Sequence, residues 1–331
     1  MTVNIVLYAD LQAVAADADG TLDRAAEPCL YSRLDWFRLI HDHAPPSGKL
    51  EVVRVANDAE KSWLFLARTG SKAQAYASWY SLRFDAAGSH DPALLETLAS
   101  SVGGARVELA PLADPEPLRS AFATAGWLVF LSEKTGNWRI DTKGMDFDAY
   151  WATRPSQLRN TARRKAKAAG LEIEIHDRFD ESAWAAYEDV YRASWKGDEG
   201  SPGFLRALAE QEGAAGTLRL GLARKDGVPV AAQLWLIETN EATIHKLAYR
   251  EDMKALSPGT ILSEAMFRRA LDVDRVETID YGTGDDGYKK DWMAERRPLW
   301  RLTAYNPRHP LGLLGAAREK ASALVRRGRS G

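Results

Sequence analysis

The sequence predicts a mixed α/β protein built from two similar halves, and three observations carry that prediction. The chain has 331 residues, which at roughly 150 residues per domain gives about two domains. Strand-like runs joined by tight turns alternate with amphipathic helical runs, and each group closes with a strand that follows a helix. A doubly wound parallel sheet would instead show strict strand–helix alternation. The order of elements in the second half repeats that of the first on a larger scale, without repetition of residues. Domains are expected over residues 1–145 and 146–307, followed by a tail over 308–331.

In the first half, Val3–Tyr8 reads as a short strand and Tyr31–His41 as a helix with Leu34, Phe37 and Ile40 at helical spacing. Leu50–Ala56 and Trp63–Ala67 form a hairpin turned at Asn57-Asp58, and Ala75–Phe84 reads as a third strand. Asp91-Pro92 opens a helix through Ala99, with Asp as N-cap and Pro in the first turn. Arg106–Leu109 is a strand, Pro117–Ala125 a helix, and Leu128–Ile140 a strand or a hairpin broken at Gly136. In the second half, Asp148–Ala169 reads as one long basic helix stopped by Gly170, followed by strand Leu171–His176 and helix Glu181–Trp195. A glycine-rich break precedes helix Phe204–Glu212. Strands Leu218–Arg224, Pro229–Glu238 and Ala242–Arg250 follow, turned at Asp226-Gly227 and Asn240-Glu241. Helix Pro258–Leu271, strand Val276–Tyr281, a short helix near Asp285–Met293 and strand Trp300–Tyr305 complete the order.

Composition excludes several classes of function. With 45% hydrophobic and 27% charged residues, the chain is neither disordered nor fibrous. A net charge of −2 argues against a protein built to coat nucleic acid. The single cysteine, Cys29, rules out an intramolecular disulfide and fits a reducing compartment. Residues 1–8 lack the pattern of a secretory signal, and no apolar run approaches the ~18 residues of a spanning helix, so a cytoplasmic location is expected. Six scattered histidines and one cysteine do not make a Cys-x-x-Cys zinc site, and no metal is expected. His41-Asp42-His43, just before Pro45-Pro46, reads as a solvated helix end.

The stretch 243–260 carries the chemistry. A strand ends, a short loop follows, and Ser257-Pro258-Gly259-Thr260 begins a helix. Ser257 suits the N-cap, Pro258 the first turn, and Gly259 admits another group close to the backbone. Amides at a helix start, aided by the helix dipole, can hold phosphate; Thr260 adds a hydroxyl and Lys254 a positive charge. The same four residues also make an ordinary capped helix.

These residues resemble the acyl-CoA N-acyltransferase (GNAT) superfamily. Its pyrophosphate loop reads Gln/Arg-x-x-Gly-x-Gly/Ala, and Lys254-Ala-Leu-Ser257-Pro-Gly259 falls in that register, with Lys for Gln/Arg and Ser for the first Gly. Lys246-Leu-Ala-Tyr249, Ser257-Pro-Gly-Thr260 and Asp280-Tyr-x-x-Gly284-Asp285-x-x-Tyr288-Lys289-x-x-Trp292 together resemble the CelD/BioF2-like acetyltransferases of bacterial envelope gene clusters. Those are relatives of the FemAB-type transferases, in which two GNAT-like domains sit in tandem, and the basic segment 156–167 also fits that branch. The specific likeness spans roughly residues 150–300; over the first half it is one of layout.

The resemblance implies tandem GNAT-like domains, acyl-CoA as co-substrate, and a cofactor-binding set of Lys246, Leu247, Tyr249, Lys254, Ser257, Gly259, Thr260 and Lys289. The acyl thioester would enter a gap between strands 242–250 and 276–281. An alkyl amine such as that of Lys has a pKa of about 10.4, so transfer to it calls for a base, oxyanion donors and a proton for the departing thiolate. Strand alternation puts Thr243, His245, Leu247 and Tyr249 on one face and Lys246 and Arg250 on the other. His245 is therefore a candidate base; Asp280, ending the next strand beside the gap, is a candidate for a catalytic or amine-binding role, and Tyr288, on the short helix folding back over the site, the candidate acid. Two of these also have a plainer reading: His245 as a packed or bonded histidine, and Asp280 as a turn or cap residue before Gly282. Asp285 caps the short helix, with Lys289 one turn later as its charge partner.

Two basic segments bear on partners. Arg159, Arg163, Arg164, Lys165 and Lys167 share much of one helical side, either as a solvated face or as a site for CoA phosphates, acyl carrier protein, anionic lipid or RNA. Residues 308–331 contain six Lys/Arg and one Glu, with Leu313, Ala317, Ala321 and Leu324 as an apolar stripe and Arg318, Lys320, Arg326 and Arg327 around it. Such a tail either lies on the inner face of an anionic membrane or packs as a terminal helix. The expected activity is N-acylation of an amine in lipid or polysaccharide biosynthesis of the cell envelope: a long-chain amino base of the sphingolipid type, an amino sugar or an amino acid. The alternatives are an aminoacyl-tRNA-dependent transferase and a non-catalytic scaffold binding membrane or RNA.

Overall fold

A computed structural model describes residues 3–327. The chain divides into two compact units, Met1–Thr135 with Pro298–Gly331, and Gly136–Arg297. Unit 1 contains strands β1 (Asn4–Tyr8), β2 (Lys49–Ala56), β3 (Lys61–Thr69), β4 (Lys72–Ala75), the two-residue β5 (Ala87–Gly88) and β6 (Arg106–Leu112). Strand β7 (Leu128–Asp141) runs through the boundary at residue 135. Unit 2 continues with β8 (Glu172–His176), β9 (Leu218–Lys225), β10 (Val228–Glu238), β11 (Glu241–Tyr249) and β12 (Thr278–Thr283), and β13 (Glu295–Tyr305) leads back into unit 1.

Each unit repeats one topology. In unit 1, β1 to β4 form an antiparallel meander, β4 pairs in parallel with β6, and β13 lies antiparallel to β6. In unit 2, β8 to β11 form the meander, β11 pairs in parallel with β12, and β7 lies antiparallel to β12. Each closing strand is thus borrowed from a distant part of the sequence. The parallel step in each unit follows a helix, α3 (Pro92–Ser101) in the first and α9 (Pro258–Arg268) in the second.

Helix starts follow their caps. Asp91 accepts from the amides of Ala93 and Leu94, with Pro92 in the first turn, and Asp180 caps α7 (Glu181–Arg192) through Ala183. The expected long helix 148–169 is two helices, α5 (Phe147–Ala152) and α6 (Ser156–Ala169), because Pro155 denies a backbone donor and its ring excludes a continuing turn. The expected strand Ala75–Phe84 ends at Ala75, where Ser78 and Ser81 fold the chain into a local turn through Ser81 N to Ser78 O at 3.1 Å. Gly136 does not break β7. A Cβ there would meet Arg296 Nε at 2.9 Å and the Asp285 carboxylate at 3.0 Å, so glycine lets a side-chain pair lie across the strand. His41 and His43 lie exposed at the end of helix α2 (Leu34–His43).

The core of unit 2 sits between the sheet and α9. Leu262, Met266 and Phe267 pack with Ala231 and Trp235 of β10 and with Phe147 and Tyr150 of α5. The Phe267 ring stacks on Tyr150 at 5.0 Å and meets Trp235 edge-on at 5.2 Å. Each such fully buried side chain contributes about 1.5–3 kcal/mol of transfer free energy. In the C-terminal helix (Pro310–Arg327), Gly312 and Ala316 are buried while Leu313, Ala317 and Ala321 face solvent. The side chains of Leu324, Arg326 and Arg327, the rest of the expected stripe and its basic end, lie outside the described residues. Among the described residues no helix is long and apolar enough to cross a membrane.

Candidate active site

Strands β11 and β12 pair over only three positions, Glu241 with Thr278, Ala242 with Ile279 and Thr243 with Asp280. Beyond them β11 stays paired to β10 as far as Tyr249. On the other side β12 bends: its pairing with β7 jumps from Asp280–Arg139 to Thr283–Asn137, and Gly282 sits at φ +64°. The strands therefore part, as the resemblance implies.

A cavity of about 350 Å³ is lined by the free end of β11, the first turn of α9 and the residues after β12. Leu247 and Tyr249 of β11, Lys254, and Ser257, Gly259, Thr260 and Ser263 of the α9 start stand in its wall. So do Tyr281, Tyr288, Asp291 and Trp292, together with Leu158 of α6 and Trp195. Six of the eight expected cofactor-binding residues are thus gathered around one space.

The turn into α9 differs from a simple cap. Ser257 lies in the left-handed region at φ +54°, ψ +47°, and its hydroxyl makes no cap hydrogen bond. That conformation explains why the superficially matching position in the loop pattern is a glycine. The amides of Thr260 and Ile261 turn back to the Ser257 carbonyl at 3.1 and 3.2 Å, and Pro258 has no amide hydrogen. Of the first-turn donors, Gly259 is the one set against the cavity without either constraint. A Cβ on Gly259 would stand 3.1 Å from Tyr249 Cδ1, and the Tyr249 ring in turn lies 4.3 Å from that of Trp195. Lys254 is exposed and pairs with Glu251 at 3.1 Å.

The other two expected ligands point elsewhere. Lys246 forms a buried ion pair with Glu199 at 3.2 Å, outside the cavity wall. Lys289 donates to the carbonyls of Thr283 at 2.7 Å and of Tyr281 and Gly284 at 3.2 Å, tying down the chain after β12. A lysine has three donors, and these carbonyls take them. Asp285 bonds Trp138 Nε1 at 2.9 Å and Arg296 Nε at 2.8 Å; its expected partner, Lys289, instead stands 3.8 Å from Asp286.

Among the expected catalytic residues, only Tyr288 lines the cavity. Burial, Asp286 and Tyr249 push its phenol above the ordinary range, so the hydroxyl keeps its proton. His245 falls in a β-bulge, where Leu234 faces Lys246 and Trp235 faces Ile244, so strict face alternation fails there. The imidazole is buried outside the cavity wall, and desolvation, helped by the Lys246 charge, drives its pKa down to about 3. Asp280 is buried beside the point of parting. It accepts from Asn137 Nδ2 at 2.6 Å and from the Gly282 amide at 2.7 Å, with Arg139 Nε at 3.8 Å. It fixes the bend of β12.

Asp291 and Tyr281 are among the cavity residues that escaped the sequence reading. Asp291 is the one carboxylate among the lining residues. Tyr281 shares the cavity wall with Ser263, the end of a buried chain whose direction follows from donor chemistry. Trp235 Nε1 can only donate, so the Gln233 carbonyl accepts it at 2.8 Å and the Gln233 amide donates to Ser263 Oγ at 2.8 Å. Burial pushes the Tyr281 phenol far above its ordinary range, with Ser263 acting the other way, so the hydroxyl keeps its proton. Nothing in the linear spacing of residues 233, 235 and 263 signals this chain.

Comparison with known proteins agrees with this geometry. Residues 153–290 match the family described as the acetyltransferase (GNAT) domain. No curated protein matches the chain. Among solved structures, FemX aligns over 96% of this chain and 100% of its own, with TM-score 0.64 and 10% identity. The C-terminal domain of a putative lysylphosphatidylglycerol synthetase from Agrobacterium fabrum aligns over 78% of this chain and 84% of its own, with TM-score 0.53 and 16% identity. A tandem GNAT protein from the clavulanic acid biosynthesis pathway aligns over 92% and 99%, with TM-score 0.51 and 13% identity. At these identities the likeness to solved structures is one of fold. The chain therefore has a fold like that of tandem GNAT proteins, and within its second unit residues 153–290 match the GNAT acetyltransferase domain.

Proposed function

We propose that this protein is an N-acyltransferase that moves an acyl group from a thioester, acyl-CoA in the first instance, to the amine of a cell-envelope building block. The observation that carries this reading is the parting of β11 and β12 after Thr243 and Asp280 beside a cavity floored by the first turn of α9. The residues present fit the donor. Gly259 leaves room for a phosphate at the helix start, Thr260 supplies a hydroxyl, and Leu247, Tyr249 and Trp292 offer an apolar wall.

The amine nitrogen forms a bond to the acyl carbon, the carbon–sulfur bond breaks, and the amine's proton leaves while the thiolate gains one. Asp291 accepts from the amine, and the protonated phenols of Tyr281 and Tyr288 supply the donors for the oxyanion and the departing sulfur. Asp280 and Lys289 act by holding the parted strand in place. The acceptor belongs to the amine-bearing envelope precursors, long-chain amino bases, amino sugars and amino acids. One fold neighbour is named for a lysine-bearing phospholipid. The protein acts in the cytoplasm, with the exposed leucines of the C-terminal helix available to the inner face of the membrane.

The test is thermal stabilisation by acetyl-CoA, long-chain acyl-CoA and tRNA in parallel. A ligand that binds only the folded state raises the melting point by mass action. Stabilisation by an acyl-CoA is the expected result, and none from any CoA species sinks the reading. Mass spectrometry of lipids and metabolites after deletion of the gene then identifies the acceptor by its loss of the acyl group.

A further inference from the structure

The surface of α6 stands apart from the rest of the protein. Its 14 residues contain Arg159, Arg163, Arg164, Lys165 and Lys167 and no carboxylate. Many cations elsewhere find acids: Arg206 bridges Glu181 and Glu210, Arg219 meets Asp274, and Arg139 meets Glu241. Among the described residues none of the five cations of α6 forms such a pair. Arg163 reaches only Asn160, at 3.1 Å, and Lys165 only the Ala255 carbonyl, at 2.5 Å. At about 100° per residue, Arg159, Arg163, Arg164 and Lys167 fall within an arc of about 140°. Arg163, Arg164 and Lys167 are exposed. Like charges gathered without partners repel one another and favour an anionic partner.

The ridge lies on the outer side of a helix whose opposite side borders the cavity. Leu158, on the same helix, stands in the cavity wall, and the Lys165 bond to Ala255 joins α6 to the turn two residues before Ser257. We propose that α6 docks an acidic acyl carrier protein, which delivers its phosphopantetheine-borne thioester into the cavity. This rests on the N-acyltransferase reading and names a macromolecular donor for it. On transfer the acyl carbon bonds to the acceptor nitrogen, the carbon–sulfur bond to pantetheine breaks, and the carrier leaves as the thiol with the proton given up by the amine.

Two features favour a protein over nucleic acid or membrane. The helix has no aromatic residue on which a base could stack. Its single large apolar side chain, Leu158, belongs to the cavity, so no apolar face remains for insertion into lipid.

The test uses the full chain and the triple variant Arg163→Glu/Arg164→Glu/Lys167→Glu, with Arg163→Gln/Arg164→Gln as a milder second variant. Binding of a purified acyl-loaded carrier protein, of tRNA and of anionic vesicles is measured by fluorescence polarisation or sedimentation, and acyl-CoA binding by thermal shift. Expected are carrier binding that weakens at least tenfold in the triple variant, a smaller loss in the double variant, and steep weakening with salt. Acyl-CoA stabilisation and the melting point of the free protein stay unchanged. Carrier binding that is absent, or equal in all three proteins, overturns the proposal, as does tRNA or vesicle binding that alone depends on these residues. The acyl-CoA measurement on the unsubstituted protein decides the acyltransferase reading separately.

Discussion

Asn137 Nδ2 donates to the Asp280 carboxylate at 2.6 Å and also to the Gly282 carbonyl at 3.0 Å, so one side chain from β7 spans the bend of β12. The same carboxylate accepts from the Gly282 amide. Replacing Asp280 by Ala strands both donors in a buried site, at a cost of about 2–3 kcal/mol. Because the bend sets the cavity's far wall, turnover should fall more than tenfold, and rescue by Asn137→Ala in the double variant should be partial. A fully active, equally stable Asp280→Ala protein in urea denaturation and steady-state assays contradicts this role.

The start of α9 makes a prediction about the donor. Gly259→Asp places bulk and negative charge where phosphate is to lie, and acyl-CoA affinity should drop at least about tenfold while the fold persists. Gly259→Ala moves Tyr249 by a few tenths of an ångström and should cost much less. Calorimetric titration with acyl-CoA separates the two, and unchanged affinity in a folded Gly259→Asp protein removes the loop from the site.

Tyr281 and Tyr288 both present a phenol to the cavity. Each Phe substitution should lower kcat by roughly 10- to 100-fold with KM for the donor little changed, within the range for loss of a positioned proton donor. Ser263→Ala should have a smaller effect, because it leaves the Tyr281 hydroxyl in place. Kinetics in which Ser263→Ala is as damaging as Tyr281→Phe would point to a packing role for both.

His245 predicts an acid-sensitive fold. Its folded pKa, near 3, lies below the unfolded value of 6.5. Between those values the unfolded chain takes up a proton that the folded chain refuses, so stability declines as pH falls from about 6.5 towards 3, by at most about 1.4 kcal/mol per unit. His245→Leu should flatten that part of the curve. Denaturation midpoints measured from pH 7 to 4 check it, and identical slopes for both proteins would exclude the histidine as the cause.

In unit 1, Asp17 binds Arg54 at 2.6 Å, Lys61 at 3.1 Å and the Tyr8 hydroxyl, joining a helix to three strands. Burial alone would raise its carboxyl, but these bonds overcome that and bring it to about 2. Its contribution is present above pH 3.8 and lost as pH falls towards 2. Asp17→Ala should cost about 2 kcal/mol at neutral pH, less than a fully buried pair because both partners keep some water contact. Thermal melts at pH 7 read this directly.

Local chemistry was legible where the cause is local. Asp226-Gly227 adopts positive φ at both positions and turns the hairpin its dipeptide predicts, and Asp91-Pro92 caps α3 as expected. The cavity, too, could be located from Tyr249, Ser257, Gly259 and Tyr288. What failed depended on distant partners. The bulge at His245 arises from its register with Trp235, and no alternation along β11 alone reveals it. The roles of Lys246 and Lys289 are decided by Glu199 and by three carbonyls brought up by the bend. Tyr281 entered only as the end of strand 276–281, because the cavity it lines is closed by residues of α6, β11 and α9. The closing strands β7 and β13 were legible as strands, but their pairing was hidden for the same reason: it is set by residues more than a hundred positions away.

Lys289 carries one last implication. A catalyst that hands activated acyl groups to amines stores, within its own body, nucleophiles that compete with the intended one. Lys289 follows directly after a cavity-lining tyrosine, yet its nitrogen is turned onto the carbonyls of Thr283, Tyr281 and Gly284. Under the proposed acyltransferase reading, the clasp that shapes the bend also keeps this amine from competing with the acceptor.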